Sequence, residues 1–151
     1  MDDCIFCKIV NGSIPSSKVY EDTNYLAFLD VMPATKGHTL VITKKHYSTL
    51  IDIPEEELKG LVKIVQNVTK AVIKATNATG YKVEIFNGAD SGQSIPHLHF
   101  HVIPRYEDDG LIYKDDKNWW TPRKELYDKD EIIKYADEIK KNLQSYPEES
   151  A

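Results

Sequence analysis

No apolar run in this chain approaches a membrane span, which takes about 20 consecutive apolar residues. Basic residues are outnumbered as well: 19 Lys and Arg stand against 24 Asp and Glu, a net charge of −5. That balance argues against a broad footprint on DNA or RNA, because polymer binding rests on clustered Lys and Arg. It does not exclude one nucleotide in a local pocket. The N-terminus begins Met1-Asp2-Asp3, without the basic start and long apolar core of a signal peptide. The expectation is therefore a cytoplasmic protein with no membrane and no nucleic-acid polymer as partner. Internal repeats, low-complexity segments and linker-like stretches are also missing. A chain of 151 residues, 41% hydrophobic and 28% charged, suits a single domain over residues 1–151 with a real core.

Cysteine is nearly absent: Cys4 and Cys7 are the two. In a cytosolic chain a Cys-x-x-Cys pair reads as half a zinc site or as a redox pair. A redox pair usually caps a helix that follows a buried strand, and only three residues stand before Cys4 here. Half a zinc site and two free structural thiols both stay open.

What is present has a legible order. Residues 18–30 read as two strands around Asp22-Thr23-Asn24. Residues 37–46 read as a third, with Thr39, Val41 and Thr43 on one face and His38, Leu40 and Ile42 on the other. Asp52 is placed to cap a long helix whose first turn holds Pro54 and three glutamates. Leu58, Leu61, Val62, Val65, Val68 and Val72 recur at helical spacing, and Gly80 follows the expected end. Residues 81–86 and 97–103 are the fourth and fifth strands. Residues 129–146 have the pattern of an amphipathic C-terminal helix, and residues 115–120 that of a loop. The sum is α+β: a mostly antiparallel five-stranded sheet, one long helix and a C-terminal helix.

Three of the five histidines stand two residues apart, at His97, His99 and His101. On a strand they share one face, while Leu98, Phe100 and Val102 point into the core. Three imidazoles on one face are costly to bury without partners. One zinc cannot easily take all three, because their ends lie about 13 Å apart along a strand and Zn–N bonds are about 2 Å. The preceding loop, with Asn87, Gly88, Gly92, Gln93 and Ser94, has the composition of an anion-binding concavity. A phosphate held there would sit beside the histidine face. One neutral imidazole could attack phosphorus, and a second, protonated, could stabilise charge or supply a proton. Pro96 directly precedes His97 and is tolerable there only at the start of a strand.

The run His97-Leu98-His99-Phe100-His101-Val102-Ile103 matches His-φ-His-φ-His-φ-φ, where φ is apolar. On that motif the sequence resembles the histidine-triad (HIT) superfamily, nearest its Hint-like bacterial branch. The stretches CIFCKIVNGSIP and LAFLDVMPATKGHTLVITKKH, and the Asn-Gly and Gly-Gln-Ser before the triad, extend the likeness over about residues 4–106. Residues 107–151 form an extension that carries little of it. The resemblance implies a HIT-like fold, a two-fold homodimer, and hydrolysis or transfer at the α-phosphate of a purine nucleotide conjugate, phosphoramidates first. Diadenosine polyphosphate hydrolysis and a slow nucleotide-binding scaffold are the alternatives. His99 matches the family nucleophile, which forms a nucleotidyl-histidine intermediate. His101, Gln93, Ser94 and Asn87 match residues at the phosphate and leaving group. Asp30 matches the acid that holds the ribose hydroxyls, and Phe6, Ile9, Phe28 and Leu40 match the walls of the base pocket. Some members bind zinc through residues that correspond to Cys4, Cys7, His46 and His97, a closed structural site. His38 matches a histidine near the active site. Lys44 and Lys45 read as surface charges, as does Arg105, which could also reach the far end of a substrate.

Overall fold

A computed structural model describes residues 3–111 and 126–144; the loop expected at 115–120 and the last two residues of the expected C-terminal helix lie outside them. Five strands, β1 (Lys18–Glu21), β2 (Tyr25–Leu29), β3 (Thr39–Thr43), β4 (Gly80–Glu84) and β5 (His99–Arg105), form one antiparallel sheet in the order β1-β2-β3-β5-β4. Among the described residues the three α-helices are α1 (Ile5–Val10), α2 (Glu55–Thr76) and α3 (Lys129–Gln144), with one 3-10 turn at Ala89–Ser91.

Alternation in the strands sends two apolar sets to opposite faces. Val19, Ala27, Leu29, Val41, Leu98 and Val102 pack on one face with Leu61, Val65, Val68 and Val72 of α2 and with Ala136 and Ile139 of α3. Leu26, Phe28, Leu40 and Ile42 pack on the other with Cys4, Phe6 and Ile9 of the N-terminal segment. β3 is central, and all five of its residues are buried. The expected two-faced β3 is therefore correct, with His38, Leu40 and Ile42 on the α1 side.

Several boundaries differ from expectation for local reasons. α1 was not expected; it is short, and Cys4 caps it by accepting the Cys7 N–H. Asp52 does not cap α2. Its carboxylate instead accepts from the N–H and hydroxyl of Thr49, and the helix starts at Glu55 after Pro54. Asn77, at φ 54°, supplies the left-handed C-cap assigned to Gly80, which instead opens β4 opposite Arg105. β5 begins two residues late: His97 N–H bonds the Ile95 carbonyl and Leu98 N–H the Tyr47 carbonyl. Ladder pairing starts only at His99 opposite Ile42. Pro96 thus lies outside the strand, and Pro104 sits beyond Val102, the last partner of β3, where only β4 flanks the chain.

Candidate functional site

The histidine face carries two adjoining clusters. In the first, the cap of α1, the turn after β3 and the entry to β5 bring together Cys4, Cys7, His46 and His97, with ligand atoms all within 4.8 Å of one another. His97 Nδ1 lies 3.4 Å from Cys4 Sγ and 3.6 Å from Cys7 Sγ, and His46 Nδ1 lies 3.4 Å from Cys7 Sγ. A tetrahedral zinc with ordinary bond lengths would set an S···N edge of about 3.6 Å. The other nitrogen of His97 makes a 2.8 Å bond to the Thr43 carbonyl. A carbonyl only accepts, so the proton is on Nε2 and the Nδ1 lone pair faces the thiols, as a metal ligand requires. Burial, with Cys4 alongside, pushes the Cys7 thiol up to about 11. A cation is what would make thiolates favourable there. The donor set fits zinc.

The second cluster contains His99, His101 and His38. His99 Nδ1 lies 2.7 Å from the His97 carbonyl, so Nδ1 carries the proton and Nε2 keeps its lone pair. The Ala34 N–H donates to His38 Nδ1 at 3.0 Å. A backbone N–H only donates, so His38 is protonated on Nε2. That nitrogen lies 3.0 Å from His101 Nδ1, which leaves His101 with its proton on Nε2. Burial lowers all three. His99 falls below the ordinary histidine value against the opposing bond to the His97 carbonyl. Burial, then the neighbouring His99, brings His101 to about 3. His38 lies well below the usual range through burial and its two imidazole neighbours. All three shifts favour the uncharged ring at neutral pH, against the expected protonated second imidazole, and the tautomer of a neutral His101 is set by His38.

The structure gathers most of the residues expected from sequence. Asp30, at the end of β2, takes the Met32 N–H on Oδ1, and its Oδ2 is 3.7 Å from His38 Nε2. Burial raises its carboxyl. Phe6, Ile9, Phe28 and Leu40 are buried in one apolar cluster. The Phe6 ring meets His99 edge-on at 5.0 Å and Phe28 at 5.5 Å. Ser94 and Asn87 are exposed on the glycine loop. Gln93 is engaged within the protein. Its amide donates to the Ser48 and Ile95 carbonyls, and its oxygen accepts the Gly88 N–H. Asn87 Oδ1 accepts the Leu50 N–H. Both side chains pin the loop after the first cluster to the glycine loop. Arg105 does not reach toward the site. Its guanidinium bonds Asp109 and the Leu111 carbonyl. Lys44 pairs with Glu21 and Lys45 lies over the Tyr47 ring. Sequence reading missed Phe86, whose ring meets His101 at 5.4 Å, and the Ala34 N–H. A backbone donor leaves no sign in residue type.

A buried histidine triad at the centre of an antiparallel sheet, beside a glycine loop, defines the histidine-triad class of protein. A sequence model of the family described as HIT domain matches residues 11–108, and the chain belongs to that family. It is 50% identical over 111 residues to an uncharacterized HIT-like protein of Methanocaldococcus jannaschii, covering 74% of this chain and 85% of that one. It is 42% identical over 102 residues to a Schizosaccharomyces pombe protein named adenosine 5'-monophosphoramidase, covering 68% of this chain and 74% of that one. A zinc-bound histidine triad family protein from Mycobacterium smegmatis superposes with a TM-score of 0.79 at 32% identity, covering 95% of each chain. Among the described residues, no helix is long and apolar enough to cross a membrane.

Proposed function

We propose that this protein is a cytoplasmic hydrolase of purine nucleoside 5'-phosphoramidates and related conjugates, acting through a nucleotidyl-histidine intermediate. The observation that carries this reading is the 2.7 Å bond from His99 Nδ1 to the His97 carbonyl, which leaves Nε2 with a lone pair. In the first step that lone pair forms an N–P bond at the α-phosphorus and the bond to the leaving amine breaks. The phosphoramidate nitrogen takes up one proton from solvent as this bond breaks, so the amine leaves neutral, and the hydrolysis step returns that proton to solvent. Water then cleaves the N–P bond, releases the nucleoside monophosphate and restores neutral His99. His101 offers a fixed Nε2–H to the phosphate oxygens or the leaving atom. Ser94 on the exposed loop is the second donor there, with Asn87 beside it. Gln93 acts by holding that loop. Asp30 accepts from the ribose hydroxyls, while Phe6, Ile9, Phe28 and Leu40 form the floor of the base pocket. The relative named a phosphoramidase supports the substrate class.

Zinc, when bound, would supply a closed structural crosslink between the N-terminal segment, the turn after β3 and the entry to β5 through Cys4, Cys7, His46 and His97. His97 also holds His99 in its tautomer. A single domain is supported by Ala136 and Ile139 of the extension, which lie in the same core as α2. A two-fold homodimer through β4, at the end of the strand order, completes the reading.

The test is release of adenylate from adenosine 5'-phosphoramidate by the wild type and by His99→Ala, each with and without brief chelation, alongside metal analysis of protein purified without chelator. Turnover is expected in the wild type, with a loss of at least about 10³-fold in the variant, little effect of brief chelation, and about one zinc per chain. Retained turnover in His99→Ala would sink the nucleophile assignment. Metal well below one per chain removes the zinc assignment.

A further inference from the structure

The residues between β2 and β3 carry Ala34, whose N–H sets the tautomer of His38 and, through it, of His101. This loop is held from two sides. From β5 and just beyond it, the Thr35 hydroxyl donates to the Pro104 carbonyl at 2.6 Å, and the Tyr106 hydroxyl to the Lys36 carbonyl at 2.8 Å. From the C-terminal segment, the Tyr127 hydroxyl accepts the Gly37 N–H, and Glu131 of α3 pairs with Lys36. The loop has little slack. Gly37 sits at φ +98°, and a Cβ there would lie 2.8 Å from Thr76 Cγ2 and 3.1 Å from Pro104 Cγ. The brace is itself anchored, because α3 buries Ala136 and Ile139 in the core and the Tyr127 ring meets Tyr135 at 5.5 Å. Tyr127 and Glu131 both lie beyond residue 108, where the match to the family ends.

We infer that Tyr127 and Glu131 are positioning residues: they fix the 31–37 loop so that Ala34 N–H holds His38 protonated on Nε2 and His101 presents its own Nε2–H. The consequence for rate rests on the proposed phosphate chemistry; the consequence for the tautomer does not. A relay of two imidazoles transmits orientation only if its first acceptor is pinned, since a neutral ring left without that donor can hold its proton on either nitrogen. Misplacing a catalytic donor by about 1 Å costs up to about 10²-fold. A partial loosening of this loop is therefore expected to lower kcat about tenfold with KM within about twofold.

The experiment uses the full chain with Tyr127→Phe, Glu131→Gln and the double variant. Imidazole nitrogen NMR reads the His38 tautomer, and kcat and KM are measured on adenosine 5'-phosphoramidate. Wild-type His38 is expected to show an unprotonated Nδ1 and a protonated Nε2. In the double variant the two signals move toward each other as kcat falls. Tyr127→Phe, which keeps the ring against Tyr135, should show the same trend more weakly. Ile133→Ala, on the exposed side of α3, should leave both readouts unchanged. His38 signals that stay at wild-type values in the double variant overturn the inference whatever happens to the rate, as does an equal shift in Ile133→Ala. If the His38 signals move but the wild type never releases adenylate, the brace stands and the phosphoramidase reading falls.

Discussion

His38 and His101 are buried, neutral and hydrogen-bonded to each other, and their acid behaviour follows from that. Both have folded-state values below the ordinary 6.5, His101 at about 3 and His38 well under the usual range. Below pH 6.5 the unfolded chain binds protons at both positions while the folded chain resists them, at His101 down to about 3 and at His38 in the same direction. Stability therefore rises with pH across that window and falls as pH drops through it. Each group contributes a slope of about 1.4 kcal/mol per pH unit. Denaturant melts at pH 7.5 and pH 5 should show a marked loss at the lower pH, reduced in His38→Gln. An equal loss in that variant would mean that other groups dominate the acid limb. The same residues show what sequence could reveal. The 97-99-101 spacing announces a functional face, but which nitrogen carries each proton depends on carbonyls and N–H groups brought in from other segments.

At the scale of elements, α2 meets β2 through a glycine. Tyr25 reaches across to donate to the Glu57 carbonyl at 3.0 Å. A Cβ at Gly60 would run into its hydroxyl and lie 2.8 Å from Cζ. Alanine is favoured over glycine in a helix interior by about 1 kcal/mol, whereas overpacking costs about 1–3 kcal/mol. Gly60→Ala is therefore expected to destabilise the protein by about 1 kcal/mol. In a Tyr25→Ala background the same change should become stabilising, and a melting series over the four proteins decides it. Gly60→Ala raising the midpoint in the wild-type background would show that Tyr25 moves aside freely. Most elements were legible because each has its own period: alternation in β2 and β3, the apolar stripe of α2. α1 was not, because six residues give too short a window for periodicity. α2 ends before Gly80 because Asn, like Gly, tolerates the left-handed cap that Asn77 supplies.

For the whole molecule, β4 stands at one end of the strand order and, among the described residues, pairs only with β5. Tyr81 and Val83 of that strand are 58% and 41% exposed, and Val62 of α2 is 48% exposed. Val62 belongs to the stripe that sequence periodicity assigned to the core; it, Tyr81 and Val83 are each exposed apolar side chains of the kind an interface covers. Sedimentation should give twice the chain mass, and Val83→Lys should shift it toward the single chain. A wild-type mass equal to one chain at all concentrations would remove the dimer.

The sequence by itself determined the frame and the reactive groups on offer: the triad, the Cys-x-x-Cys pair, the glycine loop, and the elements whose period reports burial. Those are properties of residue type and spacing. Only the tertiary structure decided which groups meet. It set His97 against the cysteines and His99 in line with the His97 carbonyl, turned Gln93 and Arg105 inward to backbone and carboxylate, and brought the C-terminal segment onto the loop of His38. Those outcomes rest on hydrogen bonds between segments far apart in the chain. Their partners are largely backbone N–H and carbonyl groups, which every residue carries, and no pattern of side chains could have named them.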